Sequence, residues 1–176
     1  MDRTESLIDA FHAQPAESDR RRELVAGIAG ILTDRPDHPA ALTFLTSVAA
    51  DTEECDLARV EATTALRLSP PTDGAQRERA ARALLAVMRG PDDDLVRQYA
   101  AMALGPYADD PEIHDAMAAA VLGDEDPLVR DNALAALSHA GPSDGRADVL
   151  HRLADDRTLG REAARILASW GREPAL

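Results

Sequence analysis

The side chains best suited to chemistry in this 176-residue sequence are five histidines and one cysteine. The histidines show neither the H-x-x-x-H nor the H-E-x-x-H spacing that places two imidazoles on one helix face to bind zinc; they are His12, His38, His114, His139 and His151. Cys55 alone cannot supply a C-x-x-C metal site or an internal disulfide. Ser138 and His139 are adjacent, but no G-x-S-x-G elbow accompanies them. The sequence therefore predicts no metal site, no cofactor and no catalytic residues.

Two acidic runs raise the question of calcium. They are "PDDD" at 91–94 and "GDEDP" at 123–127, and neither has the twelve-residue loop spacing with a distal glutamate that an EF-hand requires. We interpret both as turns and helix caps. Every basic residue apart from the histidines is arginine, so a Schiff-base lysine and a phosphate-loop lysine are excluded.

The charge balance argues against a nucleic acid as partner. The formal net charge is −13, and the excess of acidic residues is larger in the second half of the chain, so a phosphate backbone would be repelled. No apolar run approaches the roughly 18 residues of a membrane span, and the N-terminus lacks the basic and apolar regions of a signal peptide. These features predict a cytoplasmic protein that does not bind membranes.

The composition of the chain and the positions of its proline and glycine residues indicate helices. Hydrophobic residues make up 45% of the sequence but aromatic residues only 3%, a composition rich in the helix formers Ala and Leu. Proline and glycine separate segments in which apolar residues recur at the helical period. Ten helices are predicted, near residues 3–13, 19–33, 39–50, 54–68, 75–89, 93–105, 111–122, 127–139, 144–155 and 157–170.

These helices belong to a repeat. The stretch "LVRQYAAMALG" at 95–105 returns as "LVRDNALAALS" at 128–138. Aligned on the arginine, the units fall at Arg59, Arg97, Arg130 and Arg161, with Ala three positions after each and Ala or Leu six and seven positions after. A fifth unit would start at Arg22. The spacings of 38, 33 and 31 residues each fit one helical hairpin.

The phrase "DEDPLVRDNALAAL", an acidic turn followed by L-V-R-x-x-A-x-x-A-L, resembles the HEAT repeat, especially its short bacterial form, over residues 75–170. The resemblance implies a ladder in which turn aspartates bond the arginines of the second helices. Its pairs would be Asp92 to Asp94 with Arg97, Asp126 with Arg130, and Asp156 with Arg161. Such charges are structural first, because each aspartate lies at a helix N-terminus. The first half is also similar to a tetratricopeptide unit, whose second helix often ends in a phrase like "ALRLSP".

Together these patterns predict an all-α fold, a right-handed α-solenoid of about five stacked antiparallel hairpins. We expect a single helical-repeat domain over residues 1–176, divergent over 1–70 and regular over 75–170. Tetratricopeptide units also stack helical hairpins, so the fold class is the same on either interpretation of the first half.

A binding surface is predicted on the second helices of the hairpins, on their concave face. Positions one, five and eight after each arginine point away from the Ala/Leu seam, and several of them are apolar where charge is the usual choice. With two residues along one edge, this strip consists of Val60, Thr64, Gln98, Tyr99, Met102, Asp131, Asn132, Ala135, Glu162 and Ile166. The alternative is that the helix phase is shifted by one residue and these side chains belong to the core.

The predicted function is non-enzymatic binding of another protein, through a helix or tail with basic and apolar residues. The protein would act as an adaptor or as an inhibitor or immunity factor, and self-association stays open. Some HEAT-like proteins are enzymes, namely alkylpurine DNA glycosylases and phycobilin lyases, and this is the alternative at the level of fold. A glycosylase would need a basic groove with aromatic side chains, which conflicts with the acidity and the few aromatic residues.

Overall fold

The computed structural model describes residues 2–91 and 93–172, and within these ranges the chain forms ten α-helices, one short 3₁₀-helix and no strand. The α-helices, numbered α1 to α10, are Arg3–His12, Asp19–Asp34, Pro39–Ala50, Asp56–Leu68, Gly74–Arg89, Asp94–Ala103, Pro111–Gly123, Pro127–His139, Asp144–Arg152 and Gly160–Ser169. The 3₁₀-helix η1 is Gly105–Tyr107. The predicted all-α fold of stacked hairpins is confirmed.

The chain divides into two compact units, the first ending at Ala103 and the second beginning at Leu104. In the first unit α1 packs against α2, α3 against α4 and α5 against α6, while α2, α4 and α6 pack side by side as the second helices of the hairpins. In the second unit α7 packs against α8 and α9, α9 against α10, and η1 against α8. That residues 1–176 form a single domain stays a prediction.

Local sequence explains where the helices start. The Asp110 carboxylate accepts hydrogen bonds from the amides of Glu112 and Ile113 at the start of α7. The Asp126 carboxylate accepts one from the Leu128 amide at the start of α8. A proline follows each aspartate and occupies the first helical position, where its missing N–H is not needed.

The core is the predicted seam of small and aliphatic side chains. The alanines three positions after the repeat arginines, Ala62, Ala100 and Ala133, are fully buried. Leu66, Leu104 and Leu137, seven positions after the same arginines, are fully buried as well. Alanine at the first of these positions lets neighbouring helices approach closely, so the repeat pattern encodes the packing of the hairpins.

The register of α10 differs from the prediction by one residue. Ala163, Ile166 and Leu167 are buried, whereas Ala164 is half-buried and Ala168 is exposed. The position equivalent to the repeat arginine is therefore occupied by Gly160 instead of Arg161. A Cβ atom on Gly160 would lie 2.9 Å from the backbone carbonyl oxygens of both Leu153 and Ala154. No side chain fits there, and this close approach fixes the rotation of the helix.

A similar shift occurs in α2. Leu24, Val25 and Ile28 are buried, which places Arg21 at the repeat position instead of the predicted Arg22. Arg21 lies over the ring of Phe11, with its guanidinium carbon 4.1 Å from the ring centroid.

Candidate binding surface

The repeat arginines close their own hairpins. Arg59 Nε donates to the Ala49 carbonyl oxygen at 3.3 Å, Arg97 Nε to that of Met88 at 3.1 Å, and Arg130 Nε to that of Val121 at 2.8 Å. Each acceptor lies near the C-terminus of the first helix of the hairpin, where helical carbonyls lack partners. The arginine that recurs in the sequence therefore has a structural role, because it bonds the second helix of its hairpin to the first.

Turn carboxylates form ion pairs with arginines of the preceding hairpin. The Arg130 guanidinium donates to Asp156, which lies in the turn before α10. In the first unit Arg21 pairs in the same way with Glu54 in the turn before α4, with 2.6 Å between Nη2 and Oε2.

The predicted ladder agrees with the structure at Asp94 and differs from it at Asp156. Asp156 bonds Arg130 instead of Arg161, whose side chain is exposed because α10 begins one residue earlier in register. The predicted pair of Asp94 and Arg97 is present, with 3.8 Å between Asp94 Oδ1 and Arg97 Nη1, and Asp126 caps α8. Asp92 lies outside the described residues.

Asp156 is the most strongly perturbed carboxyl group among the described residues. Hydrogen bonds from the Leu159 amide, the Arg130 guanidinium, and the hydroxyl and amide of Thr158 hold the pKa of the Asp156 carboxyl well below its usual range. The Leu159 amide nitrogen lies 2.9 Å and the Thr158 hydroxyl 2.7 Å from Oδ1. All of these donors favour the ionised form, so the turn depends on the negative charge.

We therefore expect Asp156→Asn to lower the free energy of unfolding at neutral pH. Because the folded-state pKa is depressed, the stabilisation is present above the unfolded-state pKa of about 4 and is lost as the pH falls. Urea unfolding at pH 7 and at about pH 3 should show that the difference between wild type and variant narrows in acid. The exposed neighbour Asp155, changed to Asn, is the control. A constant difference at both pH values would contradict the assignment.

The strip residues of the first unit lie on two adjacent helices. Val60 and Thr64 on α4 and Gln98 and Met102 on α6 are half-buried, and Tyr99 on α6 is 42% exposed. Because α4 and α6 pack side by side, the structure brings these residues onto neighbouring helices.

In the second unit the strip is less complete. Asp131 is exposed, and Asn132, Ala135 and Glu162 are half-buried. Ile166 is only 2% exposed and belongs to the core, so its placement on the binding surface was wrong. The one-residue shift of α10 is the physical reason.

Glu162 already has a partner. Arg165 Nε donates to its carboxylate at 2.8 Å, and the guanidinium holds the pKa of Glu162 below its usual value. Glu162 and Arg165 thus form an ion pair within α10.

Sequence reasoning missed three exposed leucines. Leu57, Leu95 and Leu128 each lie two positions before a repeat arginine, in the first turn of α4, α6 and α8. Their exposed fractions are 46%, 38% and 54%. We call Leu57 and Leu95, which lie on the adjacent helices α4 and α6 of the first unit, the leucine row; Leu128 holds the equivalent position in the second unit. The leucine before the arginine in each unit is the sequence signal that could have found it.

No group of three or more His, Cys, Asp or Glu side chains is placed to hold a metal ion within residues 2–91 and 93–172. In the same described ranges no helix combines the length and apolar character needed to cross a membrane.

A family model described as HEAT repeats matches residues 81–169, which is half of the chain. The match runs from α5 to the last residue of α10. No curated protein matches the chain.

Proposed function

Because this chain belongs to the HEAT-repeat family, we propose that it binds another protein through the second helices of its hairpins. HEAT repeats generally mediate protein–protein interaction, and the family is typically a non-enzymatic scaffold. The partner segment would be a helix or tail with basic and apolar side chains. The protein would act as an adaptor, or as an inhibitor that occupies a basic site on its partner.

The observation that carries this proposal is the mixed surface on α4 and α6. Tyr99 is exposed, and Val60 and Met102 keep part of their apolar surface in contact with solvent. Aromatic residues and methionine are enriched at protein–protein interfaces relative to the rest of the surface.

The negative charge of this surface favours a basic partner. The carboxylates on these helices include the half-buried Asp56 and Glu61 and the exposed Asp94, and the chain has a formal net charge of −13. An acidic surface attracts basic partners and repels nucleic acids and other acidic proteins.

The double variant Met102→Arg plus Asp131→Arg is expected to lose the partner, because it places one cation on a second helix of each unit, where it would repel a basic partner. The measurement is a quantitative affinity purification from lysate of the native organism, followed by direct binding of the purified partner. A matched control places the same two cations at exposed positions of α5 and α9, as Ala86→Arg plus Asp148→Arg. Circular dichroism should show that both variants fold.

Equal recovery of the same partner by wild type and both variants would refute the proposed surface. Since Met102 is half-buried, Tyr99→Ala provides a milder second variant with the same expected direction. Light scattering on the wild-type protein tests self-association as the competing explanation.

A further inference from the structure

We infer that the leucine row holds the apolar side chains of a partner segment whose basic side chains contact the acidic residues beside it. This inference rests on the proposed function and specifies the chemistry of the partner. The partner is a protein segment in which leucine-like and arginine- or lysine-like residues are interleaved.

The first step is that the row is periodic. Among the described residues five large hydrophobic side chains are exposed, and three of them are Leu57, Leu95 and Leu128 at one position of the repeat. Single exposed leucines are common on protein surfaces, but the same exposed leucine in three successive hairpins is a pattern. The equivalent residue is Asp19 at the start of α2 and Thr158 in the turn before α10, so exposed leucine at this position is confined to α4, α6 and α8.

The second step is that packing within the hairpins does not explain these leucines. The seam uses positions three, four and seven after the repeat arginine, and after Arg97 these are the buried residues Ala100, Ala101 and Leu104. Leu95 lies outside that set and exposes more than a third of its surface. Burying such a side chain against a partner is favourable, because apolar surface leaves water.

The third step is the groove beside Leu57. It lies between α2 and α4 and has a volume of about 470 Å³. Leu57 lines it together with the carboxylates of Asp19, Glu23 and Glu61, whereas Arg22 is the one cation among its described lining residues. An arginine or lysine side chain therefore finds excess negative charge directly beside an apolar contact.

The charges in this groove are free to exchange partners. Glu23 pairs with Arg20, and Arg22 Nε lies 3.6 Å from Glu61 Oε2, but more than half of the side-chain surface of both arginines is exposed. Exposed ion pairs contribute little to stability, so an incoming cation can replace them at small cost.

Acidic residues accompany the other leucines as well. Asp94 precedes Leu95 and exposes 75% of its side chain, and Asp131 lies one helical turn after Leu128 and is exposed. A second copy of this chain would bring its own net charge of −13 to the row. Charge complementarity therefore favours a basic partner over self-association.

The test uses a fluorescent amphipathic peptide of leucine and arginine and a counterpart with glutamate at every arginine. The full-length protein should bind the first and not the second in an anisotropy titration. The double variant Leu57→Ser plus Leu95→Ser should weaken binding by about tenfold or more, because two apolar anchors are lost. The control is Leu68→Ser at the end of α4, where the leucine is 68% exposed but lies outside the row.

Three results would overturn the inference: no binding of the arginine peptide to wild type, equal binding by wild type and the row variant, or equal weakening by Leu68→Ser. Peptide binding that survives in the row variant but is lost in the Met102→Arg plus Asp131→Arg variant would uphold the proposed function and reject the row. Sedimentation that shows wild-type dimers and a monomeric row variant would assign the row to self-association and reject the inference.

Discussion

Replacement of Glu54 by glutamine is expected to lower the free energy of unfolding by about 3 kcal/mol. The Glu54 carboxylate is 7% exposed and pairs with Arg21 at 2.6 Å, while its other oxygen accepts a hydrogen bond from the Cys55 amide at 2.9 Å. Arg21 lies over Phe11 and is itself largely buried. Glutamine can still accept the amide hydrogen bond, but it leaves a buried guanidinium without its counter-charge, and that is the costly outcome.

The matched control for this prediction is Glu23→Gln. Glu23 also pairs with an arginine, Arg20, but the two side chains are 62% and 61% exposed. Its loss should change the free energy of unfolding by less than about 1 kcal/mol. Urea unfolding followed by circular dichroism measures both variants. Similar losses in the two would mean that the Arg21 ion pair contributes no more than a surface pair.

Gly160→Ala should destabilise the protein by about 1 to 3 kcal/mol, although alanine is the better helix former. The added methyl group would lie 2.9 Å from the carbonyl oxygens of Leu153 and Ala154, and backbone atoms cannot move aside as a flexible side chain can. The start of α10 must therefore shift away from the end of α9. Thermal unfolding monitored by circular dichroism measures the effect.

The opposite sign is expected for Gly30→Ala in the middle of α2. No atom outside the helix backbone lies within 4 Å of the position a Cβ would take there. Alanine should stabilise the protein by about 0.5 to 1 kcal/mol, because glycine loses more backbone entropy on folding. If Gly160→Ala stabilised the protein as Gly30→Ala does, the close approach in the second unit would be disproved.

The helices and the seam were predictable because their signals are local. Asp126 and Pro127 mark the start of α8 within two residues, and the spacing from Arg130 to Ala133 to Leu137 follows the helical period. Such features depend on neighbours in the chain, which a sequence shows directly.

The register of α10 was not predictable in this way. The sequence "LGREAARILA" aligns best on Arg161, yet the helix is rotated by one residue because Gly160 lies close to the backbone just after the end of α9. That contact depends on how two helices pack against each other, and the hydrophobic pattern within either helix does not show it. This one-residue rotation is also the reason that Ile166, which was predicted on the surface, lies in the core.

The partners of the ion pairs show a second limit. By residue type, Asp126 and Asp156 are equally plausible partners of Arg130, and Asp126 is the nearer in sequence. Stacking brings the turn before α10 to Arg130 across 26 residues of chain. Only the packing of consecutive hairpins shows that Asp156 lies within reach of Arg130.

The arginine that closes each hairpin has a consequence for how such a chain can change its length. The bonds of Arg59, Arg97 and Arg130 to the first helix of their own hairpin span only 9 or 10 residues. A duplicated hairpin would therefore carry its own closing bond with it, and deletion of one would leave the bonds of the others intact. Gene duplication or protein design can therefore add or remove one hairpin at a time, provided that the contacts between neighbouring hairpins still fit.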